Sequence, residues 1–295
     1  MILEALGIEV VHICIDNRIC DNPEIRKELE AHGGPDKTAI IFHGGGNFGD
    51  IWHNVQENRE RVAEAFLDYP IRSFPQTYKF SETQNLAQAQ EAYGKHPDLQ
   101  LTARDTKSFL KLQSDFGSNH KVLLLPDAAT MLSESPLLSR PPQKGDIDFL
   151  FLARTDGEGQ QDHGKETAVI EELKSVTDDS GTLQVANLTL MDWLEDEPAG
   201  IEEVPLEEQA RMRVEWTYDF LGQGALILAD RLHAHILSTV WGFDHVTVEE
   251  GSYAKLRTYH DTWLLDCGDG VAMTQSVREA VDAAHRWYTR GKSFS

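Results

Sequence analysis

Short, unbroken apolar runs alternate with helical patterns along almost the whole chain, and that alternation confines it to α/β architecture with parallel sheets. The clearest run, Ala225-Leu226-Ile227-Leu228-Ala229, reads as a strand covered on both faces. Behind it, Leu232, Ile236, Leu237 and Val240 recur at helical spacing. In the first half, strands are expected at Val10–Ile15, Ala39–Phe42, Ile71–Phe74, Leu99–Thr102 and Val122–Leu125. Helices are expected near Ile51–Phe66, Glu82–Tyr93 and Thr106–Phe116, the first with Ile51, Val55, Val62 and Phe66 on its apolar face. Ser133 to Gly145 contains Pro136, Pro141 and Pro142, lacks periodicity and reads as a linker. Beyond it the pattern predicts Phe149–Leu152, a helix near Thr167–Ser175, Leu183–Ala186, a helix near Leu206–Leu221, Ala225–Ala229 and a last strand at His245–Val248. Val277 to Tyr288 is an amphipathic tail helix. The expectation is two Rossmann-like parallel-sheet domains facing across a cleft, at 1–135 and 146–275, followed by a C-terminal helix at 276–295. Met1 to Gly7 resembles the last turns of a helix with a glycine stop, so the first domain is expected to lack a βα unit upstream.

Charge narrows the partners. Lys and Arg number 27 against 49 Asp and Glu, a net charge of −22, which repels nucleic acid and anionic membrane surfaces. A small anionic substrate then requires a local cluster of arginines. Glu195 to Glu208 concentrates carboxylates and reads as a solvated loop. The three cysteines, Cys14, Cys20 and Cys267, have no metal-ligand spacing; their odd number argues against a disulfide framework and for a reducing compartment. With neither a signal peptide nor a membrane-length apolar stretch, a soluble, cytoplasmic protein is expected.

Polar residues gather where predicted strands meet helices, the edge at which open α/β sheets bind ligands. Asp230-Arg231-Leu232-His233 sets a permanent guanidinium two residues from a titratable imidazole, and this position reads equally as an anion site or a helix cap. His43-Gly44-Gly45-Gly46-Asn47-Phe48-Gly49-Asp50 is expected to be another strand-to-helix junction. Gly44, Gly46 and Gly49 formally match a dinucleotide fingerprint, but Asp68 precedes the next strand instead of ending it, and Asp50 would repel a pyrophosphate. The glycines then serve either close approach of backbone to another ligand or to the facing domain, or turn geometry alone. Further polar residues follow the other strands: Gln76-Thr77, Arg104-Asp105, Asp127 and Arg154-Thr155-Asp156. No metal is expected, since no His/Asp cluster has ligand spacing.

Taken in order, these segments resemble the polysaccharide pyruvyl transferase family. The likeness runs through Phe42 to Trp52, Phe74-Pro75-Gln76-Thr77, Ala103-Arg104-Asp105, Pro126-Asp127-Ala128, Leu152-Ala153-Arg154-Thr155-Asp156, Asp230-Arg231-Leu232-His233, and Tyr253-Ala254-Lys255 with Trp263. The resemblance implies a GT-B-like architecture and transfer of the enolpyruvyl unit of phosphoenolpyruvate onto a saccharide, forming a pyruvate ketal. It assigns Arg154, Arg231 and His233 to catalysis. Gly44, Gly45, Gly46, Asn47, Asp50, Gln76, Thr77, Asp127, Leu232 and Lys255 are the expected substrate contacts. No cofactor is implied, phosphoenolpyruvate being the donor substrate and a saccharide the acceptor.

Chemistry fits those assignments. Two guanidinium forks suit the carboxylate and phosphate of the donor, and His233 serves as general acid or base. Asp127 and Asp50 are candidates to receive a hydroxyl proton. His235, two residues along the same helix, points away from His233 and reads as structural. A GT-B glycosyltransferase using a nucleotide sugar and a non-catalytic sugar-binding relative are the competing readings.

Overall fold

A computed structural model of the chain describes residues 3, 6–14, 20–143, 147–152, 175–177, 183–185, 188–191, 198–249 and 254–294. The chain divides into two compact units, Ile2–Ala128 and Ala129–Ser295. Each is built on a parallel sheet.

In the first unit, α1 (Pro23–Ala31) starts on a proline after Asn22, whose side chain accepts from the Glu24 amide. Six strands follow: β1 (Ile40–Phe42), β2 (Gly45–Gly49), β3 (Ile71–Ser73), β4 (Gln76–Lys79), β5 (Leu99–Ala103) and β6 (Lys121–Leu124). All pair in parallel: β5 with β3, β4 and β6, β3 with β1, and β4 with β2. Helices α2 (His53–Ala65), α3 (Thr83–Gly94) and α4 (Thr106–Phe116) connect them. Asp105 caps α4 by accepting from the Ser108 amide at 2.8 Å.

Three expectations change here. Val10–Cys14, the described part of the first expected strand, pairs with no strand among the described residues; Val11 and Cys14 pack on the core while Val10 and Ile13 stay exposed. The glycine segment is no junction loop: Gly45–Gly49 is strand β2, held by pairing with β4 and by Phe48, buried edge-on against Tyr78 at 5.2 Å. Only beyond it does a 3-10 turn, Asp50–Trp52, lead into α2. Helix α2 buries a wider face than expected: Val62 and Phe66 are buried and Val55 half-buried, Ile51 is exposed, and Gln56, Arg59, Glu60 and Ala63 also turn inward. Glu60 is satisfied there, with Gln56 Nε2 donating to Glu60 Oε1 at 2.8 Å and Gln88 Nε2, from α3, donating to Glu60 Oε2 at 3.0 Å.

Cys14 and Cys20 form a disulfide, and Cys267 is free. The odd cysteine count did not indicate that bridge, and the reading of a reducing compartment loses its support.

The second unit has a five-stranded parallel sheet in the order β10 (Leu188–Met191), β7 (Ile147–Leu152), β11 (Gly224–Ala229), β12 (His245–Val248) and β13 (Val271–Thr274). The runs Phe149–Leu152 of β7 and Ala225–Ala229 of β11 are unbroken and apolar because both faces of these central strands are covered. Phe149, Leu226 and Val246 pack with the last helix, α8 (Val277–Thr289), and Leu150, Ile227 and Ala229 pack with α5 (Leu206–Leu221) and α6 (Leu232–Trp241). Strand β9 (Leu183–Val185) pairs antiparallel with β8 (Ser175–Thr177), so the expected run at Leu183 leaves the main sheet and β10 takes the edge. His245–Val248 is not the last strand; α7 (Lys255–Trp263) and β13 follow it. Most of the helix expected near Thr167–Ser175 lies outside the described residues, and Ser175 itself opens β8. No described helix is long and apolar enough to cross a membrane.

Candidate active site

In the first unit the polar residues collect where β1 passes into β2 and β3 into β4. Gly44 packs so close to the Pro75 carbonyl that a Cβ would stand 2.7 Å from its oxygen. Gly45 and Gly49 have φ of +109° and +131°, and a Cβ on Gly49 would lie 1.7 Å from the Lys79 carbonyl oxygen. Gly46 differs: a Cβ there would meet only the Arg104 guanidinium, at 3.5 Å. Protein geometry therefore requires three of these glycines, whereas the fourth leaves open space before a buried cation.

Arg59 braces this segment from α2. It donates from Nη1 to the Asn47 carbonyl at 2.9 Å, and from Nη2 to Asn47 Oδ1 at 2.7 Å and the His43 carbonyl at 3.1 Å. Burial lowers its pKa to about 10. His43 Nδ1 must donate to the Gly44 carbonyl at 2.9 Å, which leaves Nε2 to accept from Asn47 Nδ2 at 3.2 Å. Desolvation and then the neighbouring Arg59 charge depress the His43 pKa. His43 is thus a neutral hydrogen-bonded ring.

Gln76 and Thr77 follow β3, as expected, but they also open the next strand, β4, and both are buried. Arg104, only 2% exposed, donates from Nε to Thr77 Oγ1 and from Nη1 to Asp127 Oδ2, both at 2.8 Å. Gly46, Thr77, Arg104 and Asp127 form one cluster at this strand edge. Gln76 Oε1 is buried without a hydrogen-bond partner among the described residues. Asp50 stands apart, accepting from the amides of Ser81 at 2.8 Å and Glu82 at 2.7 Å and from Asn85 Nδ2. Burial raises its pKa, but those hydrogen bonds outweigh burial and hold the carboxyl below its ordinary value. It caps the entry to α3, not the helix that it precedes.

In the second unit, β11 ends at Ala229 and Arg231 occupies the N-cap of α6 in extended backbone, φ −101° and ψ 125°. Its guanidinium carries donors only, so the N-cap side chain cannot accept from the first-turn amides. Arg231 is buried while His233 is exposed on the same turn. Leu232 turns inward into a cluster with Ile236, Leu256, Tyr259 and Leu264. Lys255 begins α7 after Ala254, which has a left-handed φ of 53°. The N-terminus of α7 is taken by Glu249, whose two carboxylate oxygens accept from the Leu256 and Arg257 amides at 2.8 Å each. Trp263 packs against the Leu232 cluster. Arg154, Thr155, Asp156 and Tyr253 lie outside the described residues. Among the described residues no group of three or more His, Cys, Asp or Glu is arranged to hold a metal ion.

Sequence reasoning missed Arg59 and Glu249. For Arg59 a signal existed: it lies four residues after Val55 and three before Val62, so a charge interrupts the expected apolar stripe. Glu249 offers none, because its targets lie seven and eight residues downstream.

A family model for polysaccharide pyruvyl transferase matches residues 1–242. Pyruvyl transferase 1 of Schizosaccharomyces pombe is 36% identical over 296 residues, covering 98% of this chain and 71% of that protein. EpsO of Bacillus subtilis is 29% identical over 267 residues, covering 88% and 77% respectively. A solved structure of a functionally uncharacterised protein from Klebsiella pneumoniae aligns with a TM-score of 0.50 over 88% of each chain at 16% identity, a likeness of fold alone.

Proposed function

This chain belongs to the polysaccharide pyruvyl transferase family, and from that premise we propose that it moves the enolpyruvyl unit of phosphoenolpyruvate onto two hydroxyls of a saccharide. It is a transferase of polysaccharide biosynthesis. The observation that carries the donor assignment is the start of α6, where a guanidinium stands at the N-cap and an exposed imidazole stands in the same turn. The positive end of the helix and the Arg231 fork both favour an anion. Phosphoenolpyruvate brings two, a carboxylate and a phosphate, and Arg154 is assigned the second fork. Lys255 adds charge and Leu232 holds the turn in the core.

A proton delivered to the methylene carbon generates oxocarbenium character at the adjacent carbon. One sugar hydroxyl adds there and loses its proton, phosphate leaves with the C–O bonding pair, and a second hydroxyl closes the ketal and releases its own proton. His233 is the assigned proton-transfer group, worth roughly 10²–10⁴ in rate. The saccharide is assigned to Gly44, Gly45, Gly46 and Asn47 with Asp50, Gln76, Thr77 and Asp127. Neither Asp127, held by Arg104, nor Asp50, held by amides, is given the role of base. The GT-B-like architecture and a cytoplasmic location belong to the same proposal, and the Cys14–Cys20 bridge weighs against that location.

The test is phosphate release from phosphoenolpyruvate with a panel of β-galactosides and other hexosides. Release by the wild type, lost in Arg231→Ala and His233→Ala, is expected. Folded wild-type protein that releases no phosphate with any acceptor overturns the proposal; thermal stabilisation by a nucleotide sugar but not by phosphoenolpyruvate favours a glycosyltransferase.

A further inference from the structure

Behind the exposed His233, three histidine rings from three elements meet in the interior of the second unit. His235 on α6 is 0% exposed; His245 opens β12, and His260 lies on α7. His235 Nδ1 is 2.7 Å from His245 Nε2, His260 Nδ1 is 3.2 Å from His235 Nε2, and His245 Nδ1 is 2.9 Å from the Phe243 carbonyl oxygen. That carbonyl decides every proton position. A carbonyl only accepts, so His245 Nδ1 carries the proton and its Nε2 accepts. His235 Nδ1 must then donate, leaving its Nε2 to accept from His260 Nδ1. The nitrogens run in series and do not converge, which suits a hydrogen-bond chain and not a metal.

From this geometry we infer that His260, His235 and His245 form a one-way hydrogen-bond chain that positions the first turn of α6, making His235 a positioning residue for Arg231 and His233. The backbone supplies the link: the His235 amide donates to the Arg231 carbonyl at 3.1 Å and closes the turn that carries both groups. Held at its ring from β12 on one side and α7 on the other, His235 cannot rotate without breaking a buried bond. A directed chain also requires neutral rings. Burial depresses all three pKa values, that of His245 to about 4. On α7, Arg257 depresses those of His235 and His260 further, while Asp261 opposes this at His260. The bearing on Arg231 and His233 rests on the pyruvyl-transfer reading; the chain itself does not.

The experiment uses the full chain labelled with nitrogen-15. Ring-nitrogen shifts at neutral pH should report the Nδ1–H tautomer at all three histidines. His260→Phe removes the first donor, whereas His260→Asn places an amide donor where Nδ1 stood. His260→Phe should speed exchange of the His235 amide roughly tenfold, the worth of one buried hydrogen bond. It should also lower kcat/KM for phosphoenolpyruvate by a similar factor, with His260→Asn restoring both. An Nε2–H tautomer at His235 or His245, or a His235 amide unmoved by His260→Phe, overturns the inference. Should His260→Phe fail to fold, the wild-type tautomers and the His260→Asn exchange rate still decide. Wild-type protein that releases no phosphate counts against pyruvyl transfer alone, since tautomers and exchange are read without turnover.

Discussion

Arg59 holds Asn47 by two hydrogen bonds, one to its backbone carbonyl and one to its side-chain oxygen, and so fixes a glycine-rich strand from a neighbouring helix. A lysine cannot reproduce this fork. Arg59→Lys should destabilise the first unit by about 2 kcal/mol, through lost charge-assisted bonds to buried acceptors. A lower denaturation midpoint at unchanged m-value measures it; an unshifted midpoint contradicts the bracing role.

Neighbouring glycines should respond oppositely. Gly49→Ala drives a methyl into the Lys79 carbonyl at a φ of +131°, so loss of soluble folded protein is expected. Gly46→Ala meets only Arg104 at 3.5 Å and should fold normally. If that open side receives the saccharide, acceptor KM rises while the melting temperature stays unchanged. Equal loss of folding in both variants would remove the distinction.

Asp127→Asn separates structural from catalytic roles. Removing the carboxylate that Arg104 meets at 2.8 Å, with both side chains buried, should cost roughly 3 kcal/mol. Acceptor KM should rise, while kcat per folded molecule at saturating acceptor stays within a few-fold of wild type, measured below the melting transition. A large fall in kcat at full stability would make Asp127 the base.

Acid should loosen the second unit through His245. The unfolded ring takes a proton near pH 6.5 but the folded ring only near 4, so the unfolded state binds more protons between those values. Stability is therefore full above 6.5 and falls as pH drops towards 4, by about 3 kcal/mol from this residue. His245→Gln, which keeps an acceptor and cannot titrate, should flatten the slope of stability against pH in that window.

Thiol titration tests the bridge. Native protein should expose one reactive thiol, Cys267, and reduced, unfolded protein three. Three reactive thiols in unreduced protein at equilibrium would contradict the Cys14–Cys20 pairing.

Elements were legible where local pattern suffices. Thr106–Phe116 and Leu206–Leu221 are helices over the expected residues, and β5, β7 and β11 contain the expected strands. Gly45–Gly49 was not legible as a strand, because glycine carries no periodicity and pairing with β4 alone makes it one. At Asp230–His233 the sequence left anion site and helix cap equally open. Backbone position narrowed the choice: the N-cap is Arg231, which has no acceptor to cap with.

The sequence by itself determined the α/β class, the elements that carry their own apolar pattern and the family, since these reside in spacing along the chain and in motifs that stay contiguous. Only the tertiary structure decided which polar residues meet: Arg59 with Asn47, Asp50 with the start of α3, Glu249 with the start of α7, and His260 with His235 and His245. Each contact satisfies a buried or helix-end group with a partner outside its own local pattern, and such partners are chosen by packing.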